Sequence, residues 1–400
     1  MYLQQSKFSY LRELYLKSIS RNQNDPTTVK IVIVGVFPPF RGGIANFYET
    51  LAERLSINHE VIAINFTTQY PNILFPGKSQ YIESESSTEF EADRILSSVN
   101  PLTWQGTANR IIEINPDLII FKYWMPFFAP SFGTIIKKVK RNLNTKALVI
   151  CDNIIPHEGR PLDKLLTKYF FNNIDYFIVM SRSVEADLLS LYPGADYLYT
   201  PHPLYDIFGA SIQKDTAKIS LGIMEQKVLL YFGLIRPYKG LDLLINAAKL
   251  LNQKLDNYKI LAVGDCYENP EPYSDLVKEN GVSDVFDLRM EFVPNDKVNL
   301  YFSVADVVVL PYKSATQSGV VPIAYHFNKP VVVTDVGGLS EIVNDGKTGY
   351  VVQPDARSIA NGILQFYNDY ERVDFADQIE SYKQRFTWNE FIHQLENIIS

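Results

Sequence analysis

The segment GLIRPYKG, from Gly233 to Gly240, sets Arg236 and Lys239 directly after the apolar run KVLLYFG and directly before a helical pattern. Pro237 keeps Arg236 out of the helical region, and Lys239 is expected at about the first turn of the helix. Two cations beside the positive end of a helix can hold a diphosphate and stabilise the charge that grows on it as it leaves. The competing reading is a pair of solvated loop charges, and the order strand, loop, helix weighs against it.

Three further loops offer polar groups after apolar runs. In KSATQSGVVPIAYHF, Thr316, Gln317, Ser318 and Gly319 stand at a strand-to-helix junction whose N–H groups lack helical partners, a second candidate anion site, although Gly319 suits a plain helix start equally. In TDVGGLSEIV, Gly337 and Gly338 allow close backbone approach, and Glu341 either binds sugar hydroxyls or complements a helix N-terminus. In PPFRGGIAN, Arg41, Gly42 and Gly43 form a loop that an acceptor or a diphosphate can approach. A polar cluster, CDNIIPHEGR, supplies Asp152, Asn153, His157, Glu158 and Arg160; from it Asp152 and His157 are the candidates for proton transfer or sugar orientation, His157 being equally a surface histidine.

The elements that position these loops repeat in the two halves. KIVIVG leads through Gly42 and Gly43 into a helix marked by Phe47, Leu51 and Leu55; KVLLYFG leads through RPYKG into one marked by Leu241, Leu244, Ala248 and Leu251. ALVIC, YFIVM, KILAV, DVVVL and PVVVT are continuous apolar runs, as parallel strands covered on both faces require. Two Rossmann-like, doubly wound α/β domains facing a cleft follow: an extension over 1–27, a first domain over 28–205, a second over 206–376, and a last segment, 377–400, packing back on the first. The boundary is expected near TPHPLYDIFG, where two prolines interrupt the pattern.

Composition narrows the function. A formal net charge of -7 removes the broad positive footprint that nucleic-acid binding needs. The two cysteines, Cys151 and Cys266, lack disulfide or zinc spacing, which fits a reducing cytoplasm, and no metal is expected. Nothing reads as a membrane span. Phe8, Leu11, Leu14, Tyr15 and Ile19 recur at helical spacing among basic residues, so the extension is either a helix resting peripherally on the inner face of a membrane or one packed on the body. Neither opening loop spells GxGxxG with a downstream acid, which argues against a nicotinamide dehydrogenase.

In this order, VKIVIVG, GGIAN, FIVMS, FGLIRPYKGLDLLINAA, ADVVVLPY, KPVVVTDVGGLSEIV and GKTGYVV resemble glycosyltransferase family 4, retaining enzymes of the GT-B fold. The resemblance implies a nucleotide-sugar donor on the second domain with Arg236 and Lys239 on its diphosphate, an acceptor on the first domain, a last helix around Phe386 to Ile399 crossing back, and no metal. It implies front-face attack, the departing phosphate taking the acceptor's proton. The sequence departs from the family at four places. Ala315 and Ile323 stand where two glutamates are usual, which shifts ribose recognition towards Gln317 or Ser318; Leu234 replaces an arginine, and Asp152 a histidine. The expectation is a retaining hexosyltransferase moving sugar to a glycan or lipid-linked acceptor in surface polysaccharide synthesis, without a cofactor. A sugar-nucleotide-binding subunit without turnover and a sugar-nucleotide epimerase are the alternatives.

Overall fold

A computed structural model describes residues 28–71, 80–82, 91–155, 161–205, 207–266, 268–316 and 318–399. The extension over 1–27, His157, Glu158, Arg160 and Gln317 lie outside the described residues.

The first sheet holds β1 (Lys30–Gly35), β2 (Glu60–Thr68), β3 (Ala92–Ser97), β4 (Leu118–Tyr123), β5 (Lys146–Cys151), β6 (Tyr176–Val179) and β7 (Tyr197–Tyr199) in the order 3-2-1-4-5-6-7. The second holds β8 (Lys227–Phe232), β9 (Tyr258–Val263), β10 (Phe286–Arg289), β11 (Val307–Leu310), β12 (Val331–Thr334) and β13 (Gly349–Val352) in the order 10-9-8-11-12-13. All the pairings are parallel. The chain order reverses beside β1 in one sheet and beside β8 in the other, and at such switch points the loops after the strands splay into a crevice. The loops carrying Arg41 and Arg236 emerge there.

Burial explains the strands. Ile31 to Val34, Ile119 to Phe121, Val228 to Leu230 and Val307 to Leu310 are wholly enclosed, so both faces of these strands need apolar side chains. Two core clusters fill the two faces of the second sheet and a single large cluster surrounds the first.

The C-terminal region divides between the domains. Ile379 and Phe386 are buried in the second core, whereas Trp388, Phe391, Ile392 and Leu395 of the helix Trp388–Ile399 complete the first. Phe47 of the helix Gly43–Leu55 lies 5.1 Å from Trp388 and 5.9 Å from Phe391, centroid to centroid. The chain thus returns to the first domain between Phe386 and Trp388, ten residues beyond the boundary that the sequence pattern sets at 377. Beside this return runs the first crossing: Leu204 N donates to Phe386 O at 2.8 Å. Among the described residues no helix is long and apolar enough to cross a membrane.

Candidate active site

A cavity of about 510 Å³ lies in the crevice, walled by the loops after β1, β2, β8, β9 and β10 and by the start of the helix Val320–His326. That size fits a small organic ligand. Of the residues singled out in the sequence, Arg41, Gly42, Gly43 and Gly319 line it together; Leu234 and Ile323, two of the replaced family positions, give it apolar wall.

Arg41 reaches across the cleft. Its Nη2 lies 2.8 Å from Asp265 Oδ2, and its guanidinium stands 4.3 Å from the Phe292 ring centroid, both partners being in the second domain. The two charged side chains are 9% and 16% exposed, so the pair is largely withdrawn from solvent and screened little by salt. Neither Asp265 nor Phe292 was foreseen. Asp265 follows the strand KILAV and so had the positional signal of a cleft residue; Phe292 had none.

Arg236 has extended backbone, as its following proline demands. Lys239 sits in a short 3₁₀ turn, Pro237–Lys239, ahead of the helix Leu241–Leu251 rather than in its first turn. Gly240 separates the two with φ +68°, and a Cβ there would fall 1.9 Å from Pro311 O, so only glycine lets the turn pack down on that loop. Lys239 Nζ donates to Tyr312 Oη at 2.8 Å and lies 4.0 Å from that ring's centroid; Tyr312 Oη is 3.4 Å from Ser318 Oγ. This chain of contacts links Lys239 to the residue before Gly319; Lys239 itself, like Arg236, Thr316 and Ser318, is not among the residues that line the cavity. Among the described residues Lys239 has no carboxylate within ion-pair distance, while Arg236 meets Glu268 only loosely, at 3.7 Å.

Gly338 and Glu341 serve a different contact. A Cβ on Gly338 would lie 2.4 Å from Thr316 O and 2.5 Å from Ser181 Cβ, so the close approach its missing side chain permits is made by protein, not by ligand. The Glu341 carboxylate accepts from Arg182 N at 2.8 and 3.1 Å, complementing the N-terminus of the helix Arg182–Leu191 in the other domain. Its placement is the helix-end alternative, on a helix that the sequence did not single out.

Asp152 directly follows β5, with its carboxylate on Lys122 Nζ of β4. Lys122 is 2% exposed and its ammonium stands 3.9 Å from the Phe47 ring centroid. Burial draws that ammonium's pKa down, and Asp152 opposes the fall. Close by, burial and the Lys122 charge press the His202 imidazole down to about 4, so the ring is neutral near pH 7. His202 and Tyr205 lie in the stretch read from sequence only as a domain boundary.

Two parallel α/β domains that meet over a cavity at their switch points have the GT-B architecture, and the chain's family match and relatives mark it as a glycosyltransferase. Residues 226–369, nearly the whole second domain, match the family model described as Glycosyl transferases group 1. D-inositol 3-phosphate glycosyltransferase of Corynebacterium aurimucosum is 28% identical over 319 residues, 72% of either chain. Lipopolysaccharide 1,2-N-acetylglucosaminetransferase of Salmonella typhimurium is 31% identical over 196 residues, 46% of this chain and 51% of that one. Among solved structures, sucrose-phosphate synthase of Thermosynechococcus elongatus superposes with a TM-score of 0.73 at 19% identity, covering 92% of this chain and 97% of that one. HepE of Anabaena, solved in complex with UDP, gives 0.67 at 16% identity, covering 92% and 99%.

Proposed function

We propose that this glycosyltransferase moves a sugar from a nucleotide-diphosphate donor to a glycan or lipid-linked acceptor with retention of configuration, in the building of surface polysaccharide. The observation that carries the donor reading is Lys239, a cation without a carboxylate partner among the described residues, linked through Tyr312 to Ser318, the residue before Gly319 of the cavity lining. A diphosphate placed between Gly319 and the loop Arg41 to Gly43 would lie beside the Arg41 guanidinium, which keeps Asp265 as its partner. HepE binds UDP in a protein of the same fold, and the Salmonella relative acts on lipopolysaccharide, which supports the nucleotide and the acceptor class in turn.

Retention is the reading that the resemblance to family 4 implies, and the described lining of the cavity is compatible with it. Asp265 is its one acidic side chain among the described lining residues, and Arg41 already holds it. A double displacement needs a free carboxylate nucleophile, and inversion needs a free base. Front-face transfer needs neither: the bond from the anomeric carbon to the phosphate oxygen breaks, the bond to the acceptor oxygen forms on the same face, and the acceptor's proton passes to the departing phosphate.

Thermal unfolding with UDP-glucose, UDP-galactose, UDP-N-acetylglucosamine and GDP-mannose is the first test. A true donor at a hundred times its dissociation constant adds about 2.7 kcal/mol. Transfer from that donor to lipid-extract or oligosaccharide acceptors should give a product with the donor's anomeric configuration by NMR; an inverted product, or an epimerised donor without transfer, defeats the proposal.

A further inference from the structure

The linker between the domains holds a polar pair that the transfer scheme leaves unused. His202 Nδ1 lies 2.7 Å from Pro203 O, and a carbonyl oxygen only accepts, so this nitrogen carries the proton of the neutral ring. Nε2 is then bare, and it accepts the Tyr205 hydroxyl proton across 3.4 Å. With its proton turned to His202, the Tyr205 oxygen has only lone pairs to offer in other directions.

That oxygen sits where the domains meet. A Cβ on Gly43 would be 3.2 Å from it and one on Gly319 3.5 Å, so it stands between the helix starts of both domains. Tyr205 is 6% exposed and lines the cavity, and among the described residues its oxygen has no hydrogen bond besides the one to His202. Accepting capacity buried without a donor is unfavourable, so the site favours a ligand that brings one. A phosphate oxygen cannot donate; a sugar hydroxyl can. Gly42, Gly43 and Gly319 are the backbone beside the diphosphate in the function proposed above, and the first hydroxyls beyond a diphosphate belong to the sugar it carries.

We infer that Tyr205 determines specificity for the donor's sugar, its phenolic oxygen accepting a hydrogen bond from one sugar hydroxyl while His202 acts as the positioning residue. This inference rests on the reading of the cleft as the nucleotide-sugar site.

Calorimetric titration of the full chain and of Tyr205→Phe tests it, with the best-binding nucleotide sugar of the four named above and with the corresponding nucleoside diphosphate. Loss of one neutral hydrogen bond predicts a dissociation constant about five- to tenfold higher for the nucleotide sugar and unchanged for the diphosphate. Equal losses for both ligands, or no loss, overturn the inference and leave the cleft reading standing. Binding of none of the four overturns both. Should Tyr205→Phe fail to fold, the unaltered protein is titrated with 2-, 3-, 4- and 6-deoxy forms of the same nucleotide sugar; one form should weaken by the same factor, and four unaffected forms overturn the inference. His202→Phe should lower the ratio of nucleotide-sugar to diphosphate affinity, and an unchanged ratio removes the positioning role.

Discussion

Lys122 in the first domain and Lys239 in the second both stand near the carboxyl edge of their sheet, in opposite surroundings. Lys122 is 2% exposed, paired with Asp152 and covered by the Phe47 ring. Lys239 leans on a neutral tyrosine hydroxyl and has no carboxylate within reach among the described residues. A buried charge with its counter-charge beside it is largely neutralised, whereas a charge without one keeps its field for an approaching ligand. The two domains share a doubly wound topology and differ at these two lysines, the first pairing its charge within the domain and the second leaving its charge without a carboxylate among the described residues.

This contrast can be broken at three points. Asp152→Asn leaves the Lys122 ammonium buried without its counter-charge, which should cost roughly 3–5 kcal/mol of stability. Urea unfolding reads it, and a loss below about 1 kcal/mol would make the pair a functional rather than a structural one. Lys239→Ala should do the reverse: turnover falling about 10²–10³-fold, as when one preorganised charge or donor is removed, with the unfolding midpoint nearly unmoved. A large stability loss with intact turnover would erase the difference between the two lysines.

The third point is pH. His202 titrates near 4 when folded and near its ordinary 6.5 when unfolded, so between those values the unfolded chain binds the extra proton. Stability therefore rises with pH through this window; it is fully present above about 6.5 and is lost as pH falls towards 4, by as much as ~3 kcal/mol from this ring. Urea midpoints at pH 4.5 to 7.5 should show a steeper slope for the natural chain than for His202→Phe. Equal slopes would mean that this part of the first-domain wall is not kept dry.

Much of this architecture could be read from residue type. The runs KIVIVG, ALVIC, KILAV and DVVVL announce strands because burial on both faces leaves no room for polar side chains, and the glycine pairs beside them mark the turns. LIIFKY, which is β4, was harder to see: one lysine interrupts its apolar run, and only the fold shows that Asp152, thirty residues on, makes that charge bearable. The same limit hid Asp265 from Arg41 and Arg182 from Glu341, partners separated by 224 and 159 residues. GLIRPYKG was legible as a strand-to-helix junction bearing two cations but not in its geometry, since the 3₁₀ turn that seats Lys239 depends on Gly240 packing against Pro311. His202 and Tyr205 were passed over because prolines around them signal a linker, and a linker that doubles as cavity wall has no distinct pattern.

The return of the chain after Phe386 also bears on how the molecule is made. Trp388, Phe391 and Leu395 belong to the first domain's core, yet they are synthesised after the whole second sheet. Domains usually fold in the order in which they leave the ribosome. Here the second domain can close its core while the first still waits for the helix that covers Phe47, so the half of the enzyme begun first is finished last, and its aromatic face stays open to chaperones for most of translation.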